Sequence, residues 1–237
     1  MFSIIIPTFN EADQIAQTIS KTHAGNGRHE AEIIVVDGGS TDHTVRIAQE
    51  CGATVVQSER KGRAAQMNKG AAEAKYDILY FLHADSIPPH DFTTQVLEAR
   101  KNGAKSGCFR LQFDYDHWFL KTNAWFTRFN VNAVRFGDQS LFATKDVFEK
   151  AGGFREDLLM MEDQEIIHRL KKHGKFKVLN DYVITSARKY LDNGVYRMQG
   201  IFCRIWAMYY LGHSQEQMLK VHKRLVRKHK IITHEAE

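Results

Sequence analysis

Three acidic points carry the chemistry this sequence could do. Phe81-Leu82-His83-Ala84-Asp85-Ser86 ends an apolar run on a carboxylate, and Ile33-Ile34-Val35-Val36 runs straight into Asp37 and Gly38-Gly39-Ser40-Thr41-Asp42. Far downstream, Met161-Glu162-Asp163 supplies the third. Two apolar strands that each deliver an aspartate at their C-terminal end describe the ligand-binding edge of an open α/β sheet. Nucleotide-sugar chemistry needs such a set: one acid for the base or ribose, one for a metal, one to abstract a proton.

Each residue has a plainer alternative. Asp37 can accept from a nucleobase N–H or a ribose hydroxyl, and it can equally cap the Gly38-Gly39 turn. Pro7-Thr8-Phe9-Asn10-Glu11 follows the first strand on the same edge, where Asn10 or Glu11 binds ligand or caps the helix from Ala12. Arg60-Lys61-Gly62-Arg63 through Asn68-Lys69-Gly70 puts cations and an amide at a loop-to-helix transition. That suits diphosphate oxygens, with surface salt bridging as the alternative. Asp85 is the best metal candidate, because a cation bridging two phosphates is commonly held by one or two protein carboxylates. His83, two residues earlier, is a second ligand or a partner for Asp85. Asp163 at a helix start is structurally ordinary, and the helix dipole equally favours the ionised form that a general base toward an acceptor hydroxyl requires. Phe136-Gly137-Asp138-Gln139 interrupts apolar sequence and is a candidate acceptor loop.

The elements that must position these residues alternate cleanly over the first hundred positions. Apolar, β-branched runs at Ser3–Ile6, Glu32–Val36, Ala53–Val56 and Asp77–Leu82 predict strands. Segments near Ala12–Thr22, His43–Glu50, Gly62–Ala74 and Asp91–Lys101 predict helices between them. This rhythm gives a mostly parallel central sheet with right-handed crossovers and helices on both faces. After residue 104 aromatics accumulate, and Trp118, Thr122, Trp125 and Phe129 share one helical face. Packing of that stripe onto the sheet is the favoured reading; an acceptor platform of exposed rings, Trp118 among them, is the other. Further helices are expected at Asp163–His173, closed by Gly174 as a C-cap, and over 196–212.

At 237 residues and 43% hydrophobic, the chain reads as one domain with a full core. Catalytic machinery is expected in 1–213, divided into a nucleotide-binding half, 1–103, and an acceptor-side half, 104–213. Cys51, Cys108 and Cys203 fall in no metal or redox spacing, and neither a signal peptide nor a membrane span is evident, so a cytoplasmic location is expected. The net charge of +5 is local: Lys220, Lys223, Arg224, Arg227, Lys228 and Lys230 stand against Glu235 and Glu237 at the C-terminus. This basic helix or tail, 214–237, is read first as a solvated helix and second as a peripheral contact with an anionic inner-membrane surface, with nucleic acid set aside.

Taken in order, Ile4–Glu11, Val35–Asp42, Gly62–Gly70, the His83–Asp85 turn, Gly152-Gly153-Phe154 and Glu162-Asp163 resemble the family-2 glycosyltransferases, which have the GT-A fold. Gly137-Asp138-Gln139 with Met161-Glu162-Asp163 is similar to a small bacterial branch of that family. The resemblance implies inverting transfer from a nucleoside-diphosphate sugar, a UDP-sugar in first place, to an unidentified acceptor hydroxyl. It assigns Pro7, Thr8, Asn10, Glu11, Asp37, Gly38, Arg63, Asn68, Ala84 and Asp85 to the donor. Gly137, Asp138, Gln139, Glu162 and Trp118 go to the acceptor, and Asp163 is the base. Asp85, with His83 beside it, would hold Mg²⁺ or Mn²⁺. The family's metal motif usually begins with an acid where this chain has His83. Its processive Gln-x-x-Arg-Trp motif is absent, with Ser186-Ala187-Arg188-Lys189-Tyr190 in a similar place, which implies single-sugar transfer. The competing class is a non-catalytic nucleotide-binding or interaction protein on the same fold, which has no need of a base such as Asp163. A nucleotidyltransferase or dehydrogenase would need a glycine-rich first turn, and Pro7–Glu11 is not one.

Overall fold

A computed structural model describes residues 1–135 and 137–227 of the protein. The first half alternates as the sequence predicts: β1 Phe2–Thr8, α1 Ala12–Gly25, β2 Ala31–Asp37, α2 Thr44–Glu50, β3 Thr54–Gln57, α3 Arg63–Glu73 and β4 Ile78–Phe81. After the short β5 (Ser86–Ile87) and α4 (Phe92–Lys101) come β6 Ala104–Phe113, α5 Trp118–Phe126, β7 Leu141–Thr144 and α6 Lys145–Lys150. The chain continues through α7 Glu162–Leu170, β8 Lys175–Thr185, α8 Arg188–Asn193, α9 Val195–Tyr210 and α10 Gln215–Leu225.

All these strands join one sheet in the order β3-β2-β1-β4-β7-β6-β8-β5. The β3-β2-β1-β4 half is parallel, so β1, β2 and β4 present their C-terminal ends along one edge. The second half is mixed. β7 runs antiparallel to both β4 and β6, because α5 and two short 3₁₀ turns bring the chain back against the direction of β6. Burial on both faces explains the continuous apolar strands. Ile4 and Ile6 pack with Ile33, Val35 and Tyr80 on one side, while Ile5 packs with Ile34, Val36 and Phe81 on the other. Helix α3 lies so close over β1 that a Cβ at Gly70 would collide with the Ile5 side chain, which makes glycine obligatory there.

Three expectations change here. Helix α7 stops at Leu170, with Lys171 in right-handed helical conformation as its C-cap, so Gly174 is not the cap. A Cβ on Gly174 would instead crowd Lys105, 2.7 Å away, where β8 begins beside β6. The aromatic stripe does not pack on the sheet either. Helix α5 buries Leu120 and Ala124, while Trp118, Trp125 and Phe129 stand exposed. Finally, the basic segment is a docked helix over much of its length. A capping box of Ser214 and Gln217 starts α10, whose Met218 joins Leu120, Met198, Ile201 and Ile205 in a third apolar cluster. Lys228 and Lys230 lie outside the described residues.

Candidate active site

The edge formed by β1, β2 and β4 is assembled by interlocking loops. Thr8 and Asp37 are register partners at the ends of β1 and β2. Asp37 is buried, and its Oδ2 accepts the backbone N–H groups of Gly39 and Ser40 at 3.0 and 2.9 Å, so the turn-capping role is realised. Gly38 donates its N–H to the Thr8 carbonyl at 2.9 Å, and Pro7 continues β1 beside Val36. Asn10, in the left-handed region at φ 54°, accepts the Thr41 N–H on Oδ1 at 2.8 Å and donates its own N–H to Ser40 Oγ at 2.9 Å. Gln66 fastens the same edge from α3, its Nε2 donating to the carbonyls of Thr8 and Val36, both at 2.7 Å. Each carbonyl also accepts a second hydrogen bond, from Gly38 N and Thr8 Oγ1 respectively. Gln66→Leu is therefore expected to destabilise the fold by only about 1–2 kcal/mol in denaturant titration.

Two ion-pair clusters converge on this edge. In the first, the Glu11 carboxylate receives Arg188 Nη2 at 2.7 and 2.6 Å, and the same nitrogen lies 3.4 Å from Asp85 Oδ2. Arg188, the first residue of α8, was not among the sequence-predicted site residues. The signal available was a cation opening a helix directly after β8, opposite the β1 and β4 loops. Ala84 is buried and serves through its carbonyl, which accepts the Thr18 hydroxyl at 2.7 Å.

In the second cluster, Arg63 reaches toward α7. Its Nε donates to Glu162 Oε1 at 2.5 Å, its Nη2 pairs with the same oxygen, and Nη2 is 3.4 Å from Asp163 Oδ2. Glu162 is 1% exposed, and its Oε2 is buried with no hydrogen-bond partner among the described residues. Burial pushes the Glu162 pKa up, an effect the Arg63 charge opposes and neighbouring Asp163 reinforces. Burial would lower the Arg63 pKa, yet Glu162, Asp163 and Asp138 together raise it.

His83 does not pair with Asp85. Its Nδ1 lies 2.8 Å from Asp138 Oδ1, joining the loop after β4 to the 3₁₀ turn Gly137–Gln139. Partial burial alone would raise the Asp138 pKa, but the His83 contact, then the charges of Lys189 and Arg63, hold it below the usual carboxylate range. Asp138 thus feels Arg63 of the second cluster together with His83 of the loop after β4 and Lys189, the neighbour of Arg188. Because its folded pKa lies below its unfolded value, its stabilising contribution is complete above the ordinary aspartate value of 3.8 and is lost as pH falls through the lower folded value. Thermal melts of Asp138→Asn are expected to show lower stability at neutral pH and a flatter acid limb than the parent.

Other expected site residues are placed elsewhere. Asn68 exchanges hydrogen bonds with the Phe154 backbone at 2.8 Å and reaches Glu156 at 2.9 Å, so its amide fastens α3 to the Gly152-Gly153-Phe154 loop rather than facing a donor. Gln139 is buried and donates to the Phe109 carbonyl at 3.0 Å, a bond to β6 in place of an acceptor contact. Gly137 opens the 3₁₀ turn, while Phe136 lies outside the described residues. Trp118 is 64% exposed on the outer face of α5.

Among the described residues, no three His, Cys, Asp or Glu side chains close on one point as a protein-only metal cage. Asp85 offers one hard carboxylate oxygen, so a divalent cation held there would need most of its oxygen ligands from outside the protein. His83 meets Asp138 through Nδ1, the kind of carboxylate contact that a metal-binding imidazole makes with its non-ligating nitrogen.

Comparison with known proteins gives the family and the fold. The model of glycosyl transferase family 2 matches residues 3–160. Over 101 residues the chain is 40% identical to an uncharacterised glycosyltransferase of Mycobacterium tuberculosis, covering 41% of this chain and 38% of that protein. It is 28% identical over 192 residues to the succinoglycan biosynthesis protein ExoA of Rhizobium meliloti, covering 72% of this chain and 58% of that one. The match thus spans less than two thirds of the length of these relatives. In three dimensions the chain is similar to the mannosyltransferase PcManGT of Pyrobaculum calidifontis, a structure in complex with GDP-Man and Mn²⁺. The TM-score is 0.68 at 18% identity, over 94% of this chain and 69% of that one. A single edge built from β1, β2 and β4, faced by α7 and matched across two thirds of the sequence, leads to one assignment: the chain belongs to glycosyl transferase family 2 and has the GT-A fold.

Proposed function

We propose that the protein is an inverting, metal-assisted, non-processive glycosyltransferase that moves one sugar from a nucleoside-diphosphate sugar to an acceptor hydroxyl. The observation that carries this reading is the convergence of Glu11, Asp85, Asp138 and Asp163, with Arg63 and Arg188, on the C-terminal edge of a parallel half-sheet. The loops of Pro7–Glu11 and Asp37–Gly38 receive the nucleoside, and the Ala84-Asp85 turn lies toward the diphosphate. A divalent cation bound at Asp85 with the phosphates would neutralise the leaving group.

Asp163 takes the proton of the acceptor hydroxyl. The oxygen so activated forms a bond to the anomeric carbon as the bond from that carbon to the diphosphate oxygen breaks. The electron pair leaves on the nucleoside diphosphate, and one displacement inverts the configuration. Asp138 and Gly137 border the acceptor side. Arg63 acts through Glu162 and Asp163, holding the base in place.

Among the described residues no helix is long and apolar enough to cross a membrane; a cytoplasmic site of action is part of the proposal. Proton NMR of reactions with α-linked UDP- and GDP-sugars and a panel of hydroxyl acceptors tests it. A product with a β anomeric proton coupling is expected, and an α product contradicts inversion.

A further inference from the structure

Beyond the site, one face of the molecule carries rings that the core does not use. On α5 and the segment after it, Trp118, Trp125, Phe126, Phe129 and Val131 are exposed. They form two groups along α5: Trp125 lies 5.2 Å from Phe126 and 5.1 Å from Phe129, and Trp118 lies 5.6 Å from Phe119. Tyr196, at the start of α9, extends the ridge, its ring 5.1 Å from Phe119.

Positive charge borders this ridge. Arg128 sits 4.4 Å above the Trp125 ring. Arg197, next to Tyr196, donates to the Leu225 carbonyl at 2.6 Å, which brings the end of α10 alongside. Lys220, Lys223 and Arg224 are exposed on α10, and Arg227 follows it. Their spacing of three and four residues puts the three helical cations on one side, opposite buried Met218.

From this juxtaposition of exposed, edge-on aromatic rings with a basic helix end, we propose that the face seats the protein on an anionic lipid bilayer. Aromatic rings with a polar tip or a cationic neighbour favour the headgroup level, and lysines and arginines are drawn to anionic leaflets. A second copy of the chain is a poorer occupant, because a two-fold pairing of this face opposes its own positive charge. A bilayer is complementary. The ridge rather than the tail alone then supplies the apolar part of the contact, and the inference does not depend on sugar transfer.

Flotation of the full chain with phosphatidylcholine vesicles, with and without phosphatidylglycerol, tests the proposal. Binding to the phosphatidylglycerol vesicles with a blue shift of tryptophan emission is expected. The exposed triple variant Trp125→Ser, Phe126→Ser, Phe129→Ser should lower that partition at least about tenfold with an unchanged melting temperature. A charge-reversed variant, Lys220→Glu, Lys223→Glu, Arg224→Glu, should lose the preference for anionic vesicles. Parent-like binding by the aromatic variant overturns the proposal. So does absence of binding to both vesicle types, or sedimentation showing a dimer that the aromatic variant dissociates.

Discussion

Asp163→Asn is expected to reduce transfer by about two to four orders of magnitude while nucleotide binding stays within about twofold of the parent. The amide keeps the size of the carboxylate and its place at the start of α7, but it cannot accept the acceptor's proton. The partner Asp163 touches is Arg63, 3.4 Å away, rather than a residue of the β1 or β2 loops, so the substitution leaves the proposed nucleotide side unaltered. Initial rates of nucleoside-diphosphate release, measured beside nucleotide affinity, separate the two quantities. Surviving turnover would remove Asp163 from the base role.

Arg63→Met is the second large effect, and it divides differently. Removing the guanidinium leaves Glu162 as a buried carboxylate without compensation, its Oε2 already unpartnered among the described residues. The expected loss is about 3 kcal/mol, toward the low end for a broken buried pair because Arg63 remains partly exposed to water. Activity falls as well, because Asp163 loses its fixed cationic neighbour. The pairing variant Arg63→Met with Glu162→Gln should recover most of the stability, since the stranded charge is gone, and little of the turnover. If Arg63 instead gripped the diphosphate, the single variant would raise the KM for donor and spare kcat. Urea unfolding together with steady-state kinetics on the single and double variants distinguishes these outcomes.

That contrast marks where the sequence was readable and where it was not. The four strands and four helices of the first half were legible because burial on both sheet faces forces apolar runs, and the turns between them carry the polar residues. The acids at the end of β2, in the turn between β4 and β5, and at the start of α7 were legible for the same reason: each interrupts an apolar pattern near an element boundary. Partners across the chain were not. Glu11 and Arg188 are 177 positions apart, and Arg63 meets Glu162 from 99 positions away. Nothing local in either segment states that pairing. Asn68 and Gln139 looked like ligand groups because buried amides and binding amides have the same composition; only the backbone they bond distinguishes them. The α5 stripe misled for a related reason. Periodicity reports that one face is apolar, and the same period serves a face that packs and one that stands out to solvent.

The central claim, a nucleotide bound at the β1–β2–β4 edge with Asp85 as its metal carboxylate, is tested most directly by calorimetric titration. The parent and Asp85→Ala are each titrated with UDP, GDP, CDP and dTDP, with and without Mn²⁺. Saturable binding of one nucleotide by the parent, strengthened by Mn²⁺ and with that strengthening lost in Asp85→Ala, is the expected result. Binding to none of the four, or the same Mn²⁺ dependence in Asp85→Ala, would contradict it.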